Sequence, residues 1–208
     1  MKKPKIIQKS TPVKRPRPMK RRTTVIELHS KLHSRDFPRM RTLLRCVSSD
    51  ATRPILHYVQ VETDEDGVKI TATDGKRLRS DRFSIEASPG LYEIKANTAR
   101  GVFLTKSRSQ MKFPNHKQVI PSLKPKDAYI LKGVGSRFVL WASAALGCRL
   151  DPSMIALADH EAVTLYIQKD CPELYPAVLQ NDRTTVIVMP FRVTEPWVRE
   201  LDELRKAA

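Results

Sequence analysis

Short segments with the alternation typical of β-strands follow one another through most of this chain, and turn residues separate them. Val68, Ile70 and Ala72 alternate with polar residues, and a β-branched and aromatic run at 55–62 precedes them. The acidic segment between the two ends in Gly67 and predicts a hairpin turn. Strands joined by such short turns pair antiparallel. The same pattern predicts further strands at 23–28, 82–86, 91–95, 102–106, 128–131, 137–141, 162–168, 177–180 and 185–189.

Two helices are expected among these strands. The spacing of three and four that an amphipathic helix requires occurs at Phe37, Met40, Leu43, Leu44 and Val47. A second helix is expected at 151–158, because Asp151 is a capping acid and Pro152 suits a first helical turn. A helix followed by three strands thus occurs twice. This order predicts an α+β fold of antiparallel sheets with two similar halves, at about 23–121 and 122–193.

The first 22 residues carry most of the positive charge of the chain. Ten of them are lysine or arginine and none is acidic, while the whole chain has a formal net charge of +16. Prolines and repelling like charges oppose regular structure here, so residues 1–22 are expected to be a disordered arm. Such an arm either binds DNA phosphates without sequence preference or only solubilises the chain. We expect the first role, mainly through Lys14, Arg15, Arg17, Lys20, Arg21 and Arg22.

Several classes of protein are disfavoured by the sequence. The longest apolar run, 138–148, is broken by Ser143 and is far shorter than the roughly 20 residues that span a bilayer, so no membrane partner is expected. The first lysines are interrupted by prolines and are not followed by the apolar region of a secretory signal, so export is not expected and the protein is predicted to be cytoplasmic. Cys46, Cys148 and Cys171 lie far apart, which disfavours a zinc or disulfide motif. His29 and His33 have a spacing that binds metals, but no third ligand accompanies them.

Catalysis has no evident machinery in this sequence. Asp74 follows a predicted strand and would suit a catalytic acid, but no base or nucleophile is identifiable beside it. No glycine-rich phosphate loop is present. We therefore expect a non-enzymatic protein without a cofactor.

The end of the chain predicts a short amphipathic helix at 194–208. Thr194 is a suitable cap and Pro196 suits the first turn. Trp197, Leu201 and Leu204 form one apolar stripe. We expect this helix to pack on its own domain, with closure of a binding cleft or contact with a partner as the alternatives.

Three short motifs occur in a fixed order along the chain. They are 72-ATDGKRL-78, 113-FPNHKQVIP-121 and 188-VMPFRV-193. Together they resemble the bacterial DNA polymerase III β sliding clamp family, in which a strand ending in A-T-D-G-x-R-L, a linker F-P-x-x-x-x-V-(I/L)-P and a final strand ending in M-P-x-R-(L/V) occur in this order. The segments 49–56 and 150–165 also look like parts of that family.

This resemblance implies a clamp-like fold and a cleft that receives short linear peptides. In the family the three segments converge on a hydrophobic cleft that binds peptides of polymerases, clamp loaders and repair proteins. Carried over by position, the cleft would be formed by Thr73, Gly75, Lys76, Arg77, Leu78, Pro114, Gln118, Val119, Val188, Met189, Pro190, Phe191, Arg192 and Val193.

The chain departs from the family in length. Family members carry three domains and close as dimers around DNA, whereas residues 23–193 leave room for about one and a half such domains. The expected function is a processivity factor in DNA replication or repair that tethers a DNA polymerase or another clamp-motif protein. Such a unit either assembles as a homo-oligomeric ring or remains a monomer. The alternatives are a monomeric clamp mimic that captures such peptides without encircling DNA, and an unrelated basic nucleic-acid-binding domain.

Overall fold

The computed structural model describes residues 23–65, 67–118, 121, 126–157 and 161–191. Within these residues, ten strands and two α-helices are present. The helices are α1 (Asp36–Leu44) and α2 (Val139–Ala145). The strands are β1 (Val25–His29), β2 (Val59–Asp64), β3 (Gly67–Thr73), β4 (Arg77–Phe83), β5 (Gly90–Asn97), β6 (Gly101–Lys106), β7 (Ala128–Gly135), β8 (Ala162–Gln168), β9 (Ala177–Gln180) and β10 (Thr184–Val188).

All ten strands belong to one antiparallel sheet. Its order is β1-β6-β5-β2-β3-β4-β10-β9-β8-β7, so β1 and β7 are its outer strands. Strands β1 to β6 are contiguous in the sheet, and so are β7 to β10. The two groups meet where β10 pairs with β4, with Ile187 opposite Leu78. The expected antiparallel architecture is thus confirmed, whereas the similarity of two halves and their boundary at residue 121 stay predictions.

The expected β2–β3 hairpin is confirmed. Val61 pairs with Ile70 and Asp64 pairs with Gly67 across the two strands. Val59, Val61 and Ile70 are fully buried, because alternate side chains of both strands face the same core. Period-two alternation was therefore a sufficient signal for this hairpin.

Helix α1 covers the core side of the sheet. Its four apolar stripe residues are buried, since they recur on one face of the helix: Phe37, Met40, Leu43 and Leu44. The helix ends at Leu44, so Val47, which was expected to continue the stripe, lies beyond it. The first predicted helix is thus confirmed with a shorter C-terminal end.

The predicted strand at 137–141 is wrong. Strand β7 continues to Gly135, and a 3₁₀ turn at Ser136–Phe138 leads into α2. The α2 helix buries Val139, Ala142 and Ser143, which lie three and four residues apart on one face. The β-branched and aromatic residues of this segment favour a strand locally. The segment forms a helix instead, because the helical face made by Val139, Ala142 and Ser143 packs on the core.

The predicted helix at 151–158 is also wrong where the structure describes it. Asp151 does accept a hydrogen bond from the Ser153 N–H at 2.8 Å, and Pro152 follows it as expected. The turn is only a 3₁₀ helix at Pro152–Met154, because Ile155 already has an extended backbone. A cap alone gives one turn, and the residues that follow it, 154–157, pack against the core without continuing the helix. Residue 158 lies outside the described residues.

The strand expected at 82–86 is displaced along the chain, since β4 covers Arg77–Phe83 and only Arg82 and Phe83 of the predicted strand belong to it. Its alternation is hidden in the sequence because two charged residues, Arg79 and Asp81, occupy fully buried positions.

In the described part of the chain, no helix is long and apolar enough to cross a membrane. The predicted basic arm and the predicted C-terminal helix lie outside the described residues.

Candidate peptide-binding cleft

The turn between β3 and β4 is closed by its own side chains. The Thr73 hydroxyl donates to the carbonyl of Arg77 at 2.7 Å and accepts from the N–H of Gly75 at 3.1 Å. The Asp74 carboxylate accepts from the N–H groups of Lys76 and Arg77, both at 2.9 Å. Gly75 has a φ of +88°, a conformation that favours glycine. The residue types of the first motif therefore fix the shape of this turn.

The Arg77 side chain ties this turn to two other segments. Its Nε donates to Asp74 Oδ2 at 2.9 Å, in a pair whose side chains are only 16% and 20% exposed. Its two terminal nitrogens donate to the backbone carbonyls of Arg45, just after α1, and Ser153. Arg77 is thus a fixed part of the wall beside the turn.

The end of β10 lies beside the same turn. The Met189 N–H donates to the Lys76 carbonyl at 3.0 Å, which extends the β4–β10 pairing by one bond. On this face Ile187, Leu78 and Val178 pack in a small apolar cluster separate from the main core. The Met189 side chain is 41% exposed. The first and third motifs are therefore neighbours because β4 and β10 pair.

The second motif contributes Pro114 and His116. The His116 side chain is 7% exposed, its Nε2 lies 3.6 Å from Glu62 Oε2, and that nitrogen has no hydrogen-bond partner among the described residues. Burial lowers the pKa of His116, while the nearby Glu62 carboxylate opposes the shift. The ring also contacts Phe113 edge-on, with centroids 6.2 Å apart.

These segments enclose one cavity of about 260 Å³, which we call the cleft. It is lined by Arg53, Leu56, Thr73, Gly75, Lys76, Arg77, Leu78, Pro114, His116, Ile187 and Met189. Its apolar walls come from leucine, isoleucine, methionine and proline side chains, and its cations are those of Arg53, Lys76 and Arg77. An apolar floor with cations beside it suits a peptide that carries apolar side chains together with carboxylates.

The structure brings together half of the residues predicted for this site. Thr73, Gly75, Lys76, Arg77, Leu78, Pro114 and Met189 line the cleft. Four others do not line it: Gln118 and Phe191 are exposed elsewhere, and Val188 and Pro190 are buried. Val119, Arg192 and Val193 lie outside the described residues, as do the six predicted DNA-binding residues of the arm.

Four lining residues were missed by the sequence reasoning. Ile187 could have been found, because it alternates with Met189 and period two places both on one face of β10. Arg53 and Leu56 come from the segment before β2, which packs against the β3–β4 turn. A Cβ added to Gly75 in that turn would lie 3.0 Å from Arg53 Nη1 and 3.9 Å from Leu56 Cδ1. His116 lies in the second motif at a position where the family pattern allows any residue, so the motif gave no reason to select it.

No group of three metal-binding side chains occurs among the described residues. The His29 and His33 pair is used locally instead. The His29 N–H donates to His33 Nδ1 at 3.0 Å, and the His29 ring contacts Glu27 Oε1 at 2.5 Å.

Comparison with known proteins places this architecture in one class of folds. No protein-family model matches the sequence, and no curated protein matches it. Solved structures do match, and the fold is that of the bacterial DNA polymerase sliding clamp. The likeness is carried by the arrangement of the backbone, because sequence identity is low.

Three structures illustrate the match. The sliding clamp from Pseudomonas aeruginosa has a TM-score of 0.52 at 12% identity, with 82% of this chain and 67% of that chain covered. The sliding clamp from Bacillus subtilis has a TM-score of 0.51 at 12% identity, with 82% and 64% covered. The DNA polymerase III β chain from Streptococcus pneumoniae has a TM-score of 0.50 at 14% identity, with 91% and 67% covered. This chain thus spans just under two thirds of the length of the Bacillus subtilis clamp.

Proposed function

We propose that this protein is a non-enzymatic, clamp-type DNA-associated protein that tethers a DNA polymerase, or another protein with a clamp-binding motif, through the cleft. The observation that carries the proposal is the convergence of Thr73–Leu78, Pro114 and Met189 on one apolar cavity. These residues come from the three motifs that resemble the clamp family. The clamp fold supports the same function.

The cleft is suited to a short peptide for two physical reasons. Its walls combine the flexible Met189 side chain with the fixed backbone of Pro114 and of the Thr73–Leu78 turn, so that varied apolar side chains fit without rearrangement of the fold. Exposed cations on its border, at Arg53 and Lys76, attract acidic groups of the peptide. The peptide thus gains both apolar burial and orientation.

DNA would be held without sequence specificity. The chain has a net charge of +16, and ten of its positive charges lie in the first 22 residues. Such a distribution favours phosphate contacts, which position a protein on DNA but do not read bases. The arm would keep the protein on DNA while the cleft holds its partner.

A homo-oligomer would cover the two outer strands. Within the described residues β1 pairs only with β6 and β7 only with β8, so each has a free row of backbone groups. Beside β7 lies an open apolar groove whose exposed aromatic side chains are Phe138 and Trp141, at 64% and 74%. Pairing of β1 of one copy with β7 of the next would bury both edges and this groove.

The decisive experiment on the cleft uses one charged substitution. Leu78 is only 4% exposed, so a charge there endangers folding, whereas Met189 is 41% exposed. We expect Met189→Lys to abolish binding of a labelled peptide carrying the clamp-binding motif of a bacterial polymerase, measured by fluorescence anisotropy. Leu174→Lys is the matched control, since Leu174 is 49% exposed and outside the cleft. Unchanged binding by Met189→Lys would refute the proposed cleft.

Light scattering distinguishes the ring from the monomeric mimic. A closed oligomer that dissociates on Trp141→Glu, and not on Leu174→Glu, supports a clamp built from small subunits. A monomer in both the parent and the variants, with peptide binding retained, supports the mimic that captures clamp-binding peptides without encircling DNA.

A further inference from the structure

We propose that residues 194–208 of this chain occupy its own cleft and compete with partner peptides. The inference rests on the proposed function, because it names a ligand of the same cleft. Three observations support it: the segment begins next to the cleft, its apolar residues have helical spacing, and its acidic residues complement the cations of the cleft.

The segment begins next to the cleft. Met189 lines the cleft, and its N–H is bonded to the Lys76 carbonyl at 3.0 Å. The Phe191 N–H then donates to the Arg149 carbonyl at 3.1 Å, so the backbone is held by the fold until two residues beyond the cleft wall. Trp197 is eight residues after Met189, so the connection between them spans at most about 29 Å. Trp197, the first residue of the apolar stripe, is therefore attached within reach of the cavity.

Such a short connection gives the segment a large advantage over a free peptide. A ligand joined by a short flexible linker has an effective concentration in the millimolar range. Partner proteins present their peptides at far lower concentrations. Even a weak interaction of the segment with the cleft thus suffices to occupy it in most molecules.

The apolar pattern of the segment fits a groove of this kind. Trp197, Leu201 and Leu204 are spaced by four and three residues, which places them on one face if the segment is helical. Amphipathic helices bind apolar grooves through residues at this spacing. The cleft offers the exposed Met189 side chain and the apolar cluster of Leu78 and Ile187 beneath it.

Charge favours the cleft over the apolar groove beside β7. The segment has four acidic residues, Glu195, Glu200, Asp202 and Glu203, against three basic ones, Arg199, Arg205 and Lys206, and two of the acids lie directly beside Leu201. The cleft offers the exposed cations of Arg53 and Lys76, in addition to Arg77, which is paired with Asp74, whereas the groove of Phe138 and Trp141 is lined by the single cation of Lys132. Opposite charges at a binding surface steer association and suppress the wrong site.

Chemical cross-linking in the full-length chain tests the position of the segment without any partner. Cys171 is exposed and is first replaced by serine, while Cys46 and Cys148 are buried. Cysteines are then introduced as the pair Lys76→Cys and Glu200→Cys, or as the control pair Lys132→Cys and Glu200→Cys. With a short bismaleimide we expect an intramolecular cross-link in the first pair only. Equal or preferred cross-linking to position 132 would overturn the proposal, and so would a product that links two chains.

Peptide competition in the full-length chain supplies the second test. In the variant Trp197→Ser, Leu201→Ser, Leu204→Ser, the segment keeps its length and charge but loses its apolar stripe. We expect this variant to bind the labelled clamp-motif peptide at least roughly tenfold more tightly than the parent. The matched control is Glu200→Gln, Asp202→Asn, Glu203→Gln, which should give a smaller gain that disappears at high salt.

The two tests separate this inference from the proposed function. Equal peptide affinity in the parent and the triple serine variant would overturn the inference and leave the function standing. A cross-link to position 76, with no peptide binding by any variant, would support the inference and overturn the function.

Discussion

Arg79 and Asp81 form an ion pair in which both side chains are fully buried on β4, with Nε and Oδ2 2.7 Å apart. The pair is part of a larger network. Arg79 also contacts Glu161 at 3.3 Å and donates to the carbonyl of Ala156, while Asp81 lies 3.5 Å from Arg39 of α1. Burial raises the pKa of Asp81, and the Arg79 guanidinium opposes that shift. The network joins β4 to α1 and to the segment before β8.

Removal of one member of this pair should destabilise the fold strongly. Arg79→Met leaves the Asp81 carboxylate buried without its main partner, which typically costs about 3–5 kcal/mol. The free energy of unfolding from urea titration measures the loss. Lys95→Met is the control, since its pair with Glu93 is 55% and 38% exposed and should contribute less than about 1 kcal/mol. Equal losses in the two variants would mean that the buried network does not stabilise the fold.

Gly75→Ala should affect peptide binding as well as stability. Gly75 has a φ of +88°, and an added Cβ would lie 3.0 Å from Arg53 Nη1 inside the cleft. An alanine in this region costs about 1–2 kcal/mol, and it also displaces the Arg53 side chain. Gly133→Ala is matched in backbone conformation, with a φ of +69° and no atom within 4 Å of the added Cβ.

We therefore expect both glycine variants to lose similar stability in urea titrations, and only Gly75→Ala to lose affinity for the clamp-motif peptide. Retention of full affinity by Gly75→Ala would show that the turn does not need this shape for binding.

The sequence predicted the sheet better than the helices, for a physical reason. Alternation in segments such as 68–72 reports burial of one face directly, and nearly every strand was found by it. The α2 segment instead contains Val139 and Trp141, which favour strands locally. Its helix depends on packing of Ala142 and Ser143 against the core, which no local pattern shows.

The cleft was partly predictable because its walls are short motifs with distinctive turn residues. Asp74 and Gly75 fix the β3–β4 turn, and these letters are visible in the sequence. Leu56 and His116 reach the cleft only through the pairing of distant segments, so their roles follow from the tertiary fold. The buried charges of β4 misled the assignment of that strand for a similar reason, since Arg79 and Asp81 are held in the core partly by Glu161 and Arg39, which lie far away in the sequence.

Burial of His116 predicts a loss of stability at acidic pH. Its pKa in the folded protein is lowered from the usual value of about 6.5, mainly by desolvation, with Lys69 and Lys117 adding to the shift and Glu62 opposing it. Below about pH 6.5, His116 is therefore protonated more readily in the unfolded chain than in the folded chain. Stability falls as the pH falls through this window, by at most about 1.4 kcal/mol per pH unit for one proton.

Urea titrations between about pH 7.5 and about pH 5 measure this dependence. We expect His116→Gln to flatten the dependence. His57→Gln is the matched histidine replacement outside the cleft, at a side chain that makes an exposed hydrogen bond to the Asp50 carbonyl. A slope that His57→Gln removes and His116→Gln retains would contradict the assignment.

Neutralisation of the arm should reduce the salt dependence of DNA binding. Each phosphate contact contributes about 0.9 to the slope of log K against log salt on duplex DNA, so replacing the six residues Lys14, Arg15, Arg17, Lys20, Arg21 and Arg22 by glutamine should lower its magnitude by roughly 5. Titrations of two unrelated duplexes at several salt concentrations measure this change, and both duplexes should respond alike because phosphates carry no sequence information. The matched control exchanges lysine for arginine at the same six positions, which keeps the charge and should keep the slope. An unchanged slope in the glutamine variant would assign the arm to solubility alone, and DNA contact would then have to come from the folded part of the chain.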